Sequence, residues 1–119
     1  MKFLVDTCIL VDHLQGQAAA TRFLEAQRSA AISLVTWMEV MAGADSGDEA
    51  EALQALLSGF ELLAIDAQVA EEAVVLRRER RLKLPDAVIL ATARVHHLVD
   101  ARHLGGVDRT AGRVGRRGQ

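Results

Sequence analysis

A short apolar run, Phe3-Leu4-Val5, stops abruptly at Asp6 and is followed by Thr7 and a second apolar stretch, Ile9-Leu10-Val11. Strand-forming residues over that length predict a buried strand with the aspartate at its C-terminal end. In open parallel sheets the ligand crevice lies outside the carboxyl ends of the strands, so Asp6 falls where such folds keep their chemistry. The same residue suits the N-cap of a helix that begins at Thr7. This stretch alone does not choose between the two roles; the other carboxylates of the chain bear on the choice.

The remainder alternates between helix-like and strand-like segments. Ile9 to Leu14 predicts a short amphipathic helix stopped at Gly16, and Gln17 to Arg28 a second, with Ala20, Phe23, Leu24 and Ala26 on its apolar side. Ala30-Ala31-Ile32-Ser33 predicts a second buried strand that runs into a helix from Leu34 to Ala44, capped by Ser33 or Thr36. A helix over Asp48 to Leu57 has Asp48, Glu49 and Glu51 near its positive end, and Phe60 to Ile65 reads as a third strand. Asp66 then caps a helix of about Ala67 to Arg80, Pro85-Asp86 opens an alanine-rich helix, and Leu98-Val99 forms a fourth strand that ends at Asp100. The expected fold is α/β: a small parallel sheet of about four strands with helices on both faces. Residues 1–104 form that domain. Residues 105–119, rich in glycine and arginine and without apolar periodicity, form an irregular or flexible tail.

Composition limits the function classes. A chain of 119 residues holds one core, and with 3% aromatics and no tyrosine that core is aliphatic, without stacking platforms for nucleic-acid bases. A net charge of -2 argues against binding nucleic acid through bulk positive charge but leaves room for a local basic rim. Arg78, Arg81 and Lys83, in the densest basic stretch before the tail, serve equally as cations at a helix C-terminus or as phosphate-positioning groups. The single cysteine, Cys8, makes no internal disulfide and is read as a small buried side chain. No apolar run is long enough to span a membrane, so a soluble cytoplasmic protein is expected.

Four carboxylates stand out by position: Asp6 and Asp100 at strand ends, Asp86 at a helix start, and Glu39 amid Val35, Trp37, Met38, Val40 and Met41. Burying a charge without a partner costs several kcal/mol, and a metal ion would offset that cost. An all-oxygen donor set suits Mg²⁺ or Mn²⁺ and, through them, phosphate chemistry. Asp100 is favoured over Asp108 as the fourth acid, because Asp108 follows Gly105-Gly106, where little holds it in place.

Val5-Asp6-Thr7 after an apolar strand, Ile32-Ser33 with Glu39 in the next helix, and Leu82-Lys83-Leu84-Pro85-Asp86-Ala87 followed by Ala91-Thr92-Ala93 together resemble the PIN-domain ribonucleases. The likeness covers residues 1 to 104 and is closest to the VapC toxins of bacterial toxin–antitoxin pairs. It implies a Mg²⁺- or Mn²⁺-dependent endoribonuclease that acts on RNA, forms a homodimer and is held inactive by a cognate VapB antitoxin. It also implies catalytic and metal-ligating roles for Asp6, Glu39 and Asp86, with Thr7 as the hydroxyl that supports the site; the position of Asp100 at a strand end adds it as the fourth catalytic and metal-ligating acid.

The chain departs from the family pattern at three places. Cys8 replaces an asparagine or serine, the run from His96-His97 to Asp100 is short, and Gly112 to Gln119 does not look like a closing strand. The first departure implies loss of a polar contact near the metal. Two competing readings follow: a non-catalytic PIN-like binding module with a degraded metal site, and a receiver-like phosphoacceptor using Asp6 and Asp12. His96, His97 and His103 are read as surface residues. Trp37 and Met38 are expected to contribute to a hydrophobic groove or dimer face, and a partner's arginine to enter the acidic cluster.

Overall fold

The computed structural model of the chain describes residues 2–102. Four strands, β1 (Phe3–Val5), β2 (Ala30–Ser33), β3 (Glu61–Leu63) and β4 (Val99–Ala101), form one sheet in the order β3-β2-β1-β4. Every pairing is parallel. Six helices connect them: α1 (Thr7–Leu14), α2 (Ala18–Ala26), α3 (Leu34–Ala42), α4 (Gly47–Leu57), α5 (Ala67–Arg80) and α6 (Leu84–Val95).

The two central strands are apolar on both faces, as a strand covered from both sides must be. Val5 and Ile32 face a cluster built from Ile9 and Leu10 of α1, Ala20 of α2, Val40 of α3, and Leu53 and Leu57 of α4. Leu4, Ala31 and Leu63 point the other way, onto Ile89 and Ala93 of α6. Behind α6 lies α5, its Val69, Ala73 and Leu76 packed against Ala87, Val88 and Ala91. The alanines of α6 leave room for close approach on both sides. The edge strands are more open, which accounts for exposed Leu62 on β3 and Val99 on β4.

Local hydrogen bonds set the helix starts. Ser33 Oγ accepts from the Val35 N–H at 3.1 Å, Ser46 Oγ from Glu49 at 3.1 Å, and Asp66 Oδ1 from Val69 at 2.9 Å. Ser33 is therefore the cap of α3, and Thr36 is free for another role. α3 ends two residues before the expected Ala44, because the Gly43 N–H turns back to the Val40 carbonyl at 3.1 Å and Ala44 to Met41 at 3.1 Å. β3 is shorter than the expected Phe60 to Ile65: the Phe60 N–H closes the end of α4 by donating to Leu57 at 3.1 Å, and Ile65 leads into the Asp66 cap.

The short connection before β4 does not disturb the sheet. His97 adopts a left-handed conformation (φ 57°), the Leu98 N–H returns to the Ala93 carbonyl at 2.8 Å, and the chain enters β4 within three residues of α6. β4 lies in register beside β1, with Leu4 opposite Asp100 and Val5 opposite Ala101. Asp100 sits inside the strand rather than after it, a correction to the expected boundary. The tail from residue 105, with Asp108, and His103 lie outside the described residues.

Candidate metal centre

Strand parity assembles the centre. Side chains alternate along a strand, and partners in register share a face, so Asp6 lies on the α6 face with Leu4, as do Asp100 and Arg102. The Asp6 N–H donates to the Ala101 carbonyl at 2.9 Å and holds the ends of β1 and β4 together. Asp6 is 5% exposed. Its Oδ1 faces the Cys8 N–H at 3.4 Å, and its Oδ2 lies 3.1 Å from Arg102 Nη2. One oxygen of Asp6 thus caps α1 and the other pairs with Arg102.

Arg102 joins the acids. Its Nε is 3.1 Å from Asp100 Oδ2 while Nη2 reaches Asp6, so one guanidinium bridges two carboxylates from adjacent strands. Nε is poorly aligned for a hydrogen bond. It and Asp100 Oδ1 are buried without hydrogen-bond partners among the described residues. Asp86, half-buried in the first turn of α6, adds its negative field at both Asp100 and Arg102. Burial and then the charge of Asp6 push the Asp100 carboxyl up to about 6, and Arg102 offsets this only in part. Burial works against the charge on Arg102, but Asp100, Asp6 and Asp86 together outweigh it and strengthen its hold on the proton.

Glu39 is attached to this centre indirectly. It is exposed, so the argument from a buried charge does not apply to it; a hydrogen-bond chain holds it instead. Thr7 Oγ1 lies 2.7 Å from Glu39 Oε1 and 2.9 Å from Thr36 Oγ1. A carboxylate only accepts and Thr7 has one hydroxyl proton, so Thr7 donates to Glu39 and Thr36 donates to Thr7. Thr36 is fully buried and lies one turn before Glu39 on α3.

Arg78, Arg81 and Lys83 are exposed and form no ion pair with the acids among the described residues. Arg81 closes α5 in the left-handed conformation at φ 56°, and Lys83 precedes α6, one turn before Asp86. The Cys8 thiol donates to the Arg102 carbonyl. Asp12 lies in the second turn of α1, the helix that Asp6 caps. His96 and His97 are exposed, as expected. Trp37 packs against the first core cluster, whereas Met38 remains 45% exposed.

Sequence reasoning missed Arg102 and the role of Thr36. Extending β4 by two residues past Asp100 would have placed Arg102 beside Asp6 on the same face. The position of Thr36 required the crossing of α1 and α3, which no local pattern encodes. Within the chain itself, Arg102 brings a guanidinium to the acidic cluster.

The donor set fits a hard divalent cation. Asp6, Asp86 and Asp100 offer only oxygen, and Asp100 Oδ1 is a buried acceptor without a donor among the described residues. Among the described residues, no three acidic, histidine or cysteine side chains already stand together at metal-binding separation.

The PIN domain family model matches residues 3–102. Comparison with curated proteins gave no match. Among solved structures, a chain of a toxin–antitoxin complex from Klebsiella pneumoniae is 44% identical, with a TM-score of 0.80 over 95% of this chain and 93% of that one. A DNA-bound VapBC structure from Salmonella typhimurium matches at 28% identity and TM-score 0.62, covering 82% of this chain and 83% of its counterpart. VapC20 from Mycobacterium tuberculosis, a Sarcin-Ricin loop cleaving toxin, shares the fold at 21% identity and TM-score 0.69 over 94% and 95% of the two chains. With that family model spanning nearly all of the described residues, the chain belongs to the PIN domain family.

Proposed function

We propose that this PIN domain is the toxin of a VapBC-type toxin–antitoxin pair and an endoribonuclease that hydrolyses RNA phosphodiester bonds with Mg²⁺ or Mn²⁺. The observation that carries the reading is the meeting of Asp6 and Asp100 on one guanidinium, within the field of Asp86, at the carboxyl edge of a parallel sheet. The likeness to the Klebsiella pneumoniae complex, at 44% identity over nearly the whole chain, supports the toxin assignment and an antitoxin partner.

Asp6, Asp86 and Asp100 are the residues that would hold the cation. A bound ion of this kind lowers the pKa of a water and offsets charge on the scissile phosphate. Glu39, oriented through Oε1 by Thr7, has no hydrogen bond to Oε2 among the described residues, and that oxygen is available to take a proton from an attacking water. Arg78, Arg81 and Lys83 supply an exposed basic rim that holds the flanking RNA phosphates.

Purified chain, freed of antitoxin and incubated with RNA, is expected to cut in Mg²⁺ or Mn²⁺ and to stop in EDTA. Asp6→Asn and Asp86→Asn are expected to abolish cutting while retaining the wild-type circular dichroism spectrum. A variant that cuts at the wild-type rate with the same metal requirement would refute the assignment. A second reading, a binding module without catalysis, draws on one observation: Arg102 already neutralises part of the acidic centre. That reading requires antitoxin binding with no RNA cleavage in either metal.

A further inference from the structure

We infer that Arg102 is a resident, displaceable cation of the acidic centre, occupying the carboxylates in the metal-free chain and leaving them when a divalent ion binds. The inference rests on the reading of this centre as a metal site, and it adds a competitor encoded in the same chain. Arg102 is anchored at its backbone: the preceding Ala101 carbonyl accepts from Asp6, and its own carbonyl accepts from the Cys8 thiol. Its main chain is therefore held, and only the side chain needs to rotate for the guanidinium to leave.

The fit of the guanidinium is that of a substitute. A permanent arginine–carboxylate pair commonly uses two parallel N–H groups on one carboxylate. Here one nitrogen approaches each of two carboxylates, Nε is misaligned, and Asp100 Oδ1 is buried with no partner among the described residues. One positive charge among three carboxylates is also too few. A divalent ion would compensate more of that charge and give the unpartnered oxygen a ligand role. The guanidinium side chain is 30% exposed, so rotation outward does not require the core to open.

The test is a calorimetric Mn²⁺ titration of the wild type and of Arg102→Gln, with thermal unfolding in EDTA measured alongside. If the guanidinium must leave before metal enters, its removal raises the fraction of competent sites, and the apparent Kd should tighten by roughly tenfold or more. The metal-free variant should melt below wild type and regain the difference on adding Mn²⁺. If Arg102 only positions the carboxylates, the variant will bind Mn²⁺ equally or more weakly, and the inference is overturned. Absence of Mn²⁺ binding in both proteins would overturn the metal reading itself and the inference with it.

A measurement on the intact wild type keeps the test open should the variant not fold. The Arg102 side-chain Nε–H resonance, assigned by NMR, should shift and lose exchange protection as Mg²⁺ saturates the protein. An unchanged resonance at saturation would also overturn the inference.

Discussion

Thr36 shows how one buried hydroxyl can affect a carboxylate it does not touch. Its proton goes to Thr7, which leaves the Thr7 proton for Glu39. Thr36→Val keeps the volume but removes the donor, and about 1 kcal/mol of stability is expected to go with it. RNA cleavage should fall severalfold, and Thr36→Ser should restore it; equal activity in all three proteins would restrict Thr36 to packing. Glu39→Gln is expected to impair cleavage more than Thr36→Val does. Asp100 brings a pH dependence. Its carboxyl titrates near 6 in the folded chain against an ordinary 3.8, so the folded state binds the proton more tightly than the unfolded state. The stability gained from that proton is present below the ordinary value and lost as pH rises through about 6. In metal-free buffer, the urea midpoint of wild type should fall across that window relative to Asp100→Asn; parallel pH profiles would contradict the shift.

At the level of elements, β1, β2 and the starts of α5 and α6 were legible because each carries its own signal: an apolar run, a capping aspartate or a proline in a first turn. β3 and β4 were less so. The end of β4 is set by register and by the hydrogen bond from Asp6 to Ala101, which no short window contains, and β3 starts late because Phe60 closes α4 on Leu57. The place of Asp6 at the end of β1 was legible for the same reason that β1 was. Arg102 was not, because reading β4 as ending at Asp100 hid the residue that parity places beside Asp6. The α5–α6 pair braces the helix that carries Asp86, and Leu76 is fully buried there. Leu76→Ala should cost about 2–5 kcal/mol by urea denaturation. A cost below 1 kcal/mol, an order-of-magnitude threshold for a surface-like site, would mean the pair is packed more loosely than it stands.

Over the whole molecule, the helices divide by task. α5, α6 and the link between them carry Arg78, Arg81, Lys83 and Asp86, while α1 and α3 carry Thr7, Thr36 and Glu39 and leave Val11, Leu14 and Met38 exposed. On the proposed toxin reading, the antitoxin covers apolar surface of the second pair. Met38→Asp should weaken antitoxin binding at least tenfold without changing Mn²⁺ affinity, and unaltered binding would move the partner elsewhere. Among the described residues no helix is long and apolar enough to cross a membrane. The proposed metal centre lies where these two helical groups meet the carboxyl edge of the sheet, and its existence is the claim on which the functional reading depends. Calorimetric titration of Mn²⁺ into wild type, Asp6→Asn and Asp86→Asn tests it most directly. Saturable binding in wild type, lost or weakened at least tenfold in both variants while their folds persist, is the expected result; unchanged Mn²⁺ affinity in the two variants would contradict it.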